Sequence, residues 1–325
     1  MKKNNKPKAQ YKLKNWPDYN QALKNRGSVT LWLSEEAQAD WYQEQQGKRG
    51  RPCVYSDGAI TCALTLGAVF KQPLRGTQGF VESLLKLMDC RLCCPDYSTL
   101  CRRRGDLSVS LPVNKKGESI HVVLDSTGLK VYGEGEWKVR KHGVSKRRTW
   151  RKLHLAIDAD THEILGHTLT LNDVGDCEEL PTLLNQTDQP IASVSADGAY
   201  DTKDCYKAIF DHKAVPKIPP REGAVVQCPQ IITHKYHPAL KARDDAIKRI
   251  QQLGNDEDAK KQWKIDIGYH RRSLSETAMF RRKTLFPPNL SARKFQNQIA
   301  ESTLIARAMN IMTHLGMPDS YLLAA

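Results

Sequence analysis

No apolar run in this 325-residue chain approaches the roughly 20 residues that a helix needs to cross a bilayer, so no membrane-spanning helix is expected. The N-terminus, Met1-Lys-Lys-Asn-Asn-Lys-Pro-Lys8, has no apolar segment behind its charges, and the expectation is a cytoplasmic protein without a secretory leader. Nine cysteines are present, but without an export signal they should stay reduced, most of them as small core residues. The cluster Cys90, Cys93, Cys94 and Cys101 contains a C-x-x-C, yet it lacks a second spaced pair or a nearby histidine and argues only weakly for zinc. No internal repeat is evident. Acidic charge is the minority: 36 acidic residues face 50 basic ones, for a net charge of +14. The basic excess is clustered, which favours a polyanionic partner, with nucleic acid first among the candidates. Charge alone leaves other anions open.

The 40% hydrophobic content can supply the core of one large catalytic domain plus a smaller module. Residues 1–57 read as a basic arm and short elements, with six lysines in the first 14 positions followed by Asn15-Trp-Pro-Asp-Tyr19. Ser28 to Leu33 reads as a short strand, and Ser34 before Glu35 and Glu36 as a helix start. Residues 58–110 read as short packed helices. Within them Asp96 can cap Tyr97-Ser-Thr-Leu-Cys-Arg-Arg-Arg104, which places Arg102 and Arg103 as DNA contacts of a helix-turn-helix-like region or, alternatively, on an ordinary solvated basic helix.

From residue 119 the period changes. Ile120 to Leu124 ends at Asp125, and alternating runs follow over Thr149 to Ile157 and Ile164 to Leu171. Then come a helix over Glu178 to Leu184, a strand over Ile191 to Ala196 ending at Asp197, a helix over Thr202 to Phe210 and a strand over Ala214 to Ile218. The order β-β-β-α-β-α-β followed by helices is that of an α/β ribonuclease-H-like fold, with a mixed sheet over residues 119–325. Residues 221–267 read as an insertion, and 292–315 as a last amphipathic helix.

Tyr269, Arg272, Glu276 and Lys283 stand at offsets 0, 3, 7 and 14 in a stretch with no proline and no interior glycine. At about 100° per residue they fall within one arc of about 60° on a helix. A lone Glu among cations is ordinarily an exposed ion pair. With Asp125 and Asp197 it also makes a set of three hard oxygen donors, which suits Mg²⁺. Phosphodiester cleavage uses two such ions about 3.5–4 Å apart. Pattern alone does not separate Asp125 from Asp158, because Asp also forms turns and caps.

The segment Tyr269-x2-Arg272-x3-Glu276-x6-Lys283 resembles the Y-x2-R-x3-E-x6-K signature of DDE transposases from bacterial insertion sequences. Val123-Leu-Asp-Ser-Thr-Gly128 and Ala196-Asp-Gly-Ala-Tyr-Asp201 resemble the segments that hold that family's first two aspartates. Asn15-Trp-Pro-Asp-Tyr19 and Leu74-Arg-Gly-Thr-Gln-Gly-Phe-Val-Glu-Ser-Leu-Leu85 extend the resemblance over most of the chain. It implies that Asp125, Asp197 and Glu276 are catalytic and hold two Mg²⁺, with Mn²⁺ able to substitute. It also implies that Tyr269, Arg272 and Lys283 grip the DNA end, and that the protein works as a homodimer or larger synaptic complex. Trp137 to Lys152 carries eight basic residues and no acid between the first two strands. Arg147, Arg148 and Arg151 are therefore candidate phosphate contacts, with Trp137 or Trp150 as stacking groups, unless the segment is a solvated turn. The implied function is end cleavage and joining of a mobile element. The rivals are a nuclease of the same fold and a non-catalytic DNA-binding derivative.

Overall fold

The computed structural model describes residues 11–44, 53–114, 117–131, 150–227 and 237–322. Its strands are β1 (Tyr11–Leu13), β2 (Ile120–Val131), β3 (Trp150–Asp158), β4 (Ile164–Leu171), β5 (Ile191–Ser195), β6 (Val215–Lys217), β7 (Asn289–Leu290) and β8 (Ser320–Leu322). The main sheet has the order β4-β3-β2-β5-β6. The first three strands form an antiparallel meander, and β5 and β6 run parallel to β2. This is the mixed ribonuclease-H-like sheet expected from the element order, with β7 added alongside the far end of β2.

Both faces of the sheet are covered, so at its centre β2 buries consecutive apolar residues, Val122, Val123 and Leu124, on the two sides. On one face Val122, Leu124 and Ala156 meet Leu180, Leu183 and Leu184 of the helix Asp176–Leu184 and Tyr206 and Ile209 of the helix Lys203–Asp211. On the other face Leu153, Leu155 and Ile157 meet the helix Ser273–Leu285 and the last helix, Phe295–His314. That second core is continuous with the N-terminal helices, through Ile60, Leu64, Val81, Leu85 and Leu100.

Several expectations need correction. Val29–Trp32 is a short helix instead of a strand, because its apolar residues find helical neighbours: Trp32 and Leu33 are buried, and the Trp32 indole donates to the Arg26 carbonyl at 2.9 Å. Ser34 and Asp96 cap their helices as expected, accepting from Ala37 N and Ser98 N. From Tyr11 onward the N-terminal region is built into the fold: β1 pairs with β8, and the Asn15 side chain joins Met317 O to Asp319 N. Asp125 does not end its strand. β2 continues for six residues, since Ser126, Thr127 and Gly128 pair with His154, Leu153 and Lys152 of β3. Finally, the four-residue face is not one α-helix. Gly268 adopts a left-handed conformation (φ 68°) after the helix Glu257–Asp266, Tyr269–Arg272 forms a 3₁₀ turn, and the α-helix begins at Ser273.

Candidate active site

Strand alternation puts Asp125, Thr127 and Leu129 on the face of β2 that the helix Ser273–Leu285 covers. The helix is fastened there at two points: Ser275 Oγ donates to Asp125 Oδ2 at 3.2 Å, and Lys283 Nζ donates to Thr127 Oγ1 at 2.7 Å. Asp197 comes to the same end of the sheet through the parallel register of β2 and β5. Val123 pairs with Ser195, so Asp125 and Asp197 each stand two residues beyond one rung.

The loop after Asp197 is held from several sides. Asp197 Oδ1 accepts from Ala199 N at 2.9 Å, and Arg221 donates to the carbonyls of Gly198 and Ala199 at 3.0 and 2.7 Å. Asp201, buried, accepts from Arg221 N and pairs with Arg243 Nε at 2.8 Å. Arg243 belongs to the helix Lys241–Gln252. The segment read as an insertion thus braces the Asp197 loop, a role no sequence pattern indicated. Asp158 is separated from Asp125 by its partners: it is buried and caps its own turn through Asp160 N and Thr161 Oγ1.

Arg272 joins the two elements. Its guanidinium lies 3.5 Å from Asp125 Oδ2 and 2.8 Å from Glu276 Oε1. Asp125 is 18% exposed and Glu276 61% exposed at the side chain, so the arrangement has a buried floor and an open rim. Burial raises the Asp125 pKa, opposed by the Ser126 amide, Arg272 and Ser275, while Asp197 adds a further push upward. Tyr269 donates from its hydroxyl to the Ala196 carbonyl at 3.2 Å. Its pKa is pushed up to about 12, first by burial and also by the charges of Asp197, Asp125 and Glu276, against the pull of Arg272. The phenol therefore stays a donor at neutral pH and lies within electrostatic reach of all three carboxylates.

The structure thus brings together Asp125, Asp197, Glu276, Tyr269 and Arg272, with Lys283 anchored beside them. Among the described residues no three His, Cys, Asp or Glu side chains close around a single point, and Glu276 pairs with Arg272. Among the described residues the cysteine cluster forms no such group either. Cys90 Sγ faces Gln38, Cys94 Sγ faces the Pro95 carbonyl, and Cys93 and Cys101 are exposed.

The other basic candidates are more scattered. Arg103 is tied to Asp57 and the Tyr55 carbonyl, and Arg102 is exposed with Thr99 as its neighbour. Arg151 donates to Gln298 at 2.8 Å and lies over the Phe295 ring, so the last helix holds it. Arg147 and Arg148 lie outside the described residues. Sequence reading did not single out Lys217, whose partner in β5 is Ser195, two residues before Asp197; burial followed by repulsion from Arg271 lowers its pKa. It missed Ser275 as well, since a serine beside a helical Glu carries no periodic signal.

Residues 116–311 match the family described as "Transposase DDE domain", and residues 24–134 match a second family of the same description. Among solved structures, the "Drosophila P element transposase strand transfer complex" aligns over 91% of this chain and 85% of that chain, at 9% identity and a TM-score of 0.30, too low to bear on the argument. No described helix is long and apolar enough to cross a membrane.

Proposed function

Because more than half of the chain matches the Transposase DDE domain family, to which it therefore belongs, we propose that this protein is a DNA transposase of the insertion-sequence type. It binds the terminal inverted repeats of its own element, cleaves a strand at each end by hydrolysis and joins the freed 3′-hydroxyl to target DNA. The observation that carries this reading is the Arg272 bridge. One guanidinium touches both Asp125 and Glu276. The same turn sends Tyr269 to the carbonyl beside Asp197.

Asp125, Asp197 and Glu276 form an all-oxygen donor set that fits Mg²⁺ or Mn²⁺. Asp125 and Glu276 already share one cationic group, so their placement suits a positive charge between them. Two divalent ions bound there would supply activation of water and stabilisation of charge on the phosphate. The chain's own residues do the remainder. Arg272 can fork onto a phosphate, Lys283 adds a charge anchored at Thr127, and Tyr269 fixes the loop that carries Asp197. Because an element has two ends that act together, the working form is a homodimer or larger synaptic complex.

A purified protein given labelled DNA from the flanks of its coding region, with Mg²⁺ or Mn²⁺, should nick at both inverted repeats and join the ends to a plasmid. Nicking without joining would favour the nuclease reading, and binding without either would favour the non-catalytic one. Tyr269→Phe should slow single-turnover cleavage about five- to tenfold, the rate equivalent of one hydrogen bond of about 1 kcal/mol, at unchanged DNA affinity. An unaltered rate would remove Tyr269 as a positioning group for Asp197. Replacing Arg147, Arg148 and Arg151 together should weaken DNA binding and flatten its log–log salt slope by roughly one unit per lost contact. Identical affinities across a salt titration would count against a DNA-tracking role for that segment.

A further inference from the structure

The solvent-facing stripe of the helix Ser273–Leu285 consists of Ser273, Glu276, Thr277, Phe280, Lys283 and Thr284. Five of these are polar. The sixth, Phe280, is 69% exposed, although the same helix buries Ala278 and Met279 on its opposite side. The ring is therefore not held out of the core for lack of an inward face. It follows Glu276 by four residues and precedes Lys283 by three, about 6 Å and about 4.5 Å along the axis at 1.5 Å per residue. Both neighbours are fixed: Glu276 by Arg272, and Lys283 by Thr127 next to Asp125.

We propose that Phe280 is a stacking platform for an unstacked base of the DNA strand at the processed end, with Lys283 holding the adjoining phosphate. This deepens the reading of the chain as a DNA transposase and rests on it. A nucleotide matches the stripe group by group, since it joins a flat apolar ring to an anion, as Phe280 and Lys283 join a flat ring to a cation. A protein partner would call for a wider apolar patch, whereas Phe280 is bordered by Thr277, Lys283 and Thr284. Phenylalanine has no hydrogen-bonding group, so the contact holds a base without reading which base it is. Phe280 acts as a positioning residue, keeping the strand beside the carboxylates after it leaves the duplex.

The test uses the full-length chain in chelator, with an oligothymidylate single strand and a duplex of the same length, followed by fluorescence anisotropy. Phe280→Ala should lose about tenfold in single-strand affinity and keep its duplex affinity, while Phe280→Trp keeps both. The introduced indole should also be quenched on binding the single strand. Lys283→Ala should weaken both DNAs. The stacking role is overturned if Phe280→Ala retains single-strand affinity, if it loses both DNAs equally, or if its only effect is a smaller assembly mass, which would mean that a second copy covers the ring. A wild-type chain that binds neither DNA would overturn the transposase reading itself, a result distinct from any of these.

Discussion

Asp125→Asn and Glu276→Gln should each reduce end cleavage and joining by more than about a thousandfold, the equivalent of roughly 4 kcal/mol of transition-state stabilisation, while binding of end DNA persists. Both substitutions keep size and shape, remove a negative charge and exchange one acceptor oxygen for an NH2 donor. Asp125 is the better buried of the two, and its carboxylate is surrounded by the Ser126 amide, Ser275 and Arg272. Burial already penalises its charged form. For an acid whose folded pKa is raised, ionisation favours unfolding as pH climbs from its ordinary value through the raised one. Asp125→Asn should therefore leave the thermal stability of the metal-free protein unchanged or improved at neutral pH. Glu276 is largely exposed, so its loss should also leave folding intact. Labelled-end cleavage gels beside thermal melts separate the two effects, and a fully active Glu276→Gln would sink the metal assignment.

Asn310→Ala should destabilise the protein by about 3 kcal/mol or more, the largest effect expected from a single side chain away from the site. Asn310 is fully buried in the last helix. Its amide treats Ile164 as a neighbouring strand would, accepting from Ile164 N at 2.7 Å and donating to Ile164 O at 2.8 Å, and it donates to Pro112 O at 3.0 Å. Alanine leaves three backbone groups to find new partners, at about 1–3 kcal/mol for each that stays buried and unsatisfied. The last helix packs in the same core as Ala278 and Met279, so loosening it also loosens the support of Glu276. Urea titration should report a lower midpoint at constant slope. A loss below about 1 kcal/mol would mean that water or a backbone shift replaces the amide.

Much of the fold from residue 119 onward was legible because its signals are local. The alternation of Ile164 to Leu171 gives β4 with its bounds unchanged, and Ser34 and Asp96 cap helices through their own side chains. The misread boundaries share a different cause. Asp125-Ser-Thr-Gly128 has turn-forming composition, yet its amides are satisfied by β3, whose chain lies beyond an 18-residue connection. Val29–Trp32 contains β-branched residues, yet its neighbours are helices. In each case a partner distant in sequence outweighed a propensity worth at most about 1 kcal/mol.

The sequence by itself determined the order of elements, the basic character and the spacing of Tyr269, Arg272, Glu276 and Lys283, because composition and periodicity are properties of neighbouring residues. Only the tertiary structure decided that Asp125, and not Asp158, stands level with Asp197, since a parallel register between β2 and β5 is set by core packing across 70 residues of chain or so. It also decided that the four-residue signature bends at Ser273 and delivers Arg272 to two carboxylates at once. Asp125 of β2 and Glu276 of the helix can share the Arg272 guanidinium only after that helix and the turn before it have packed on the sheet.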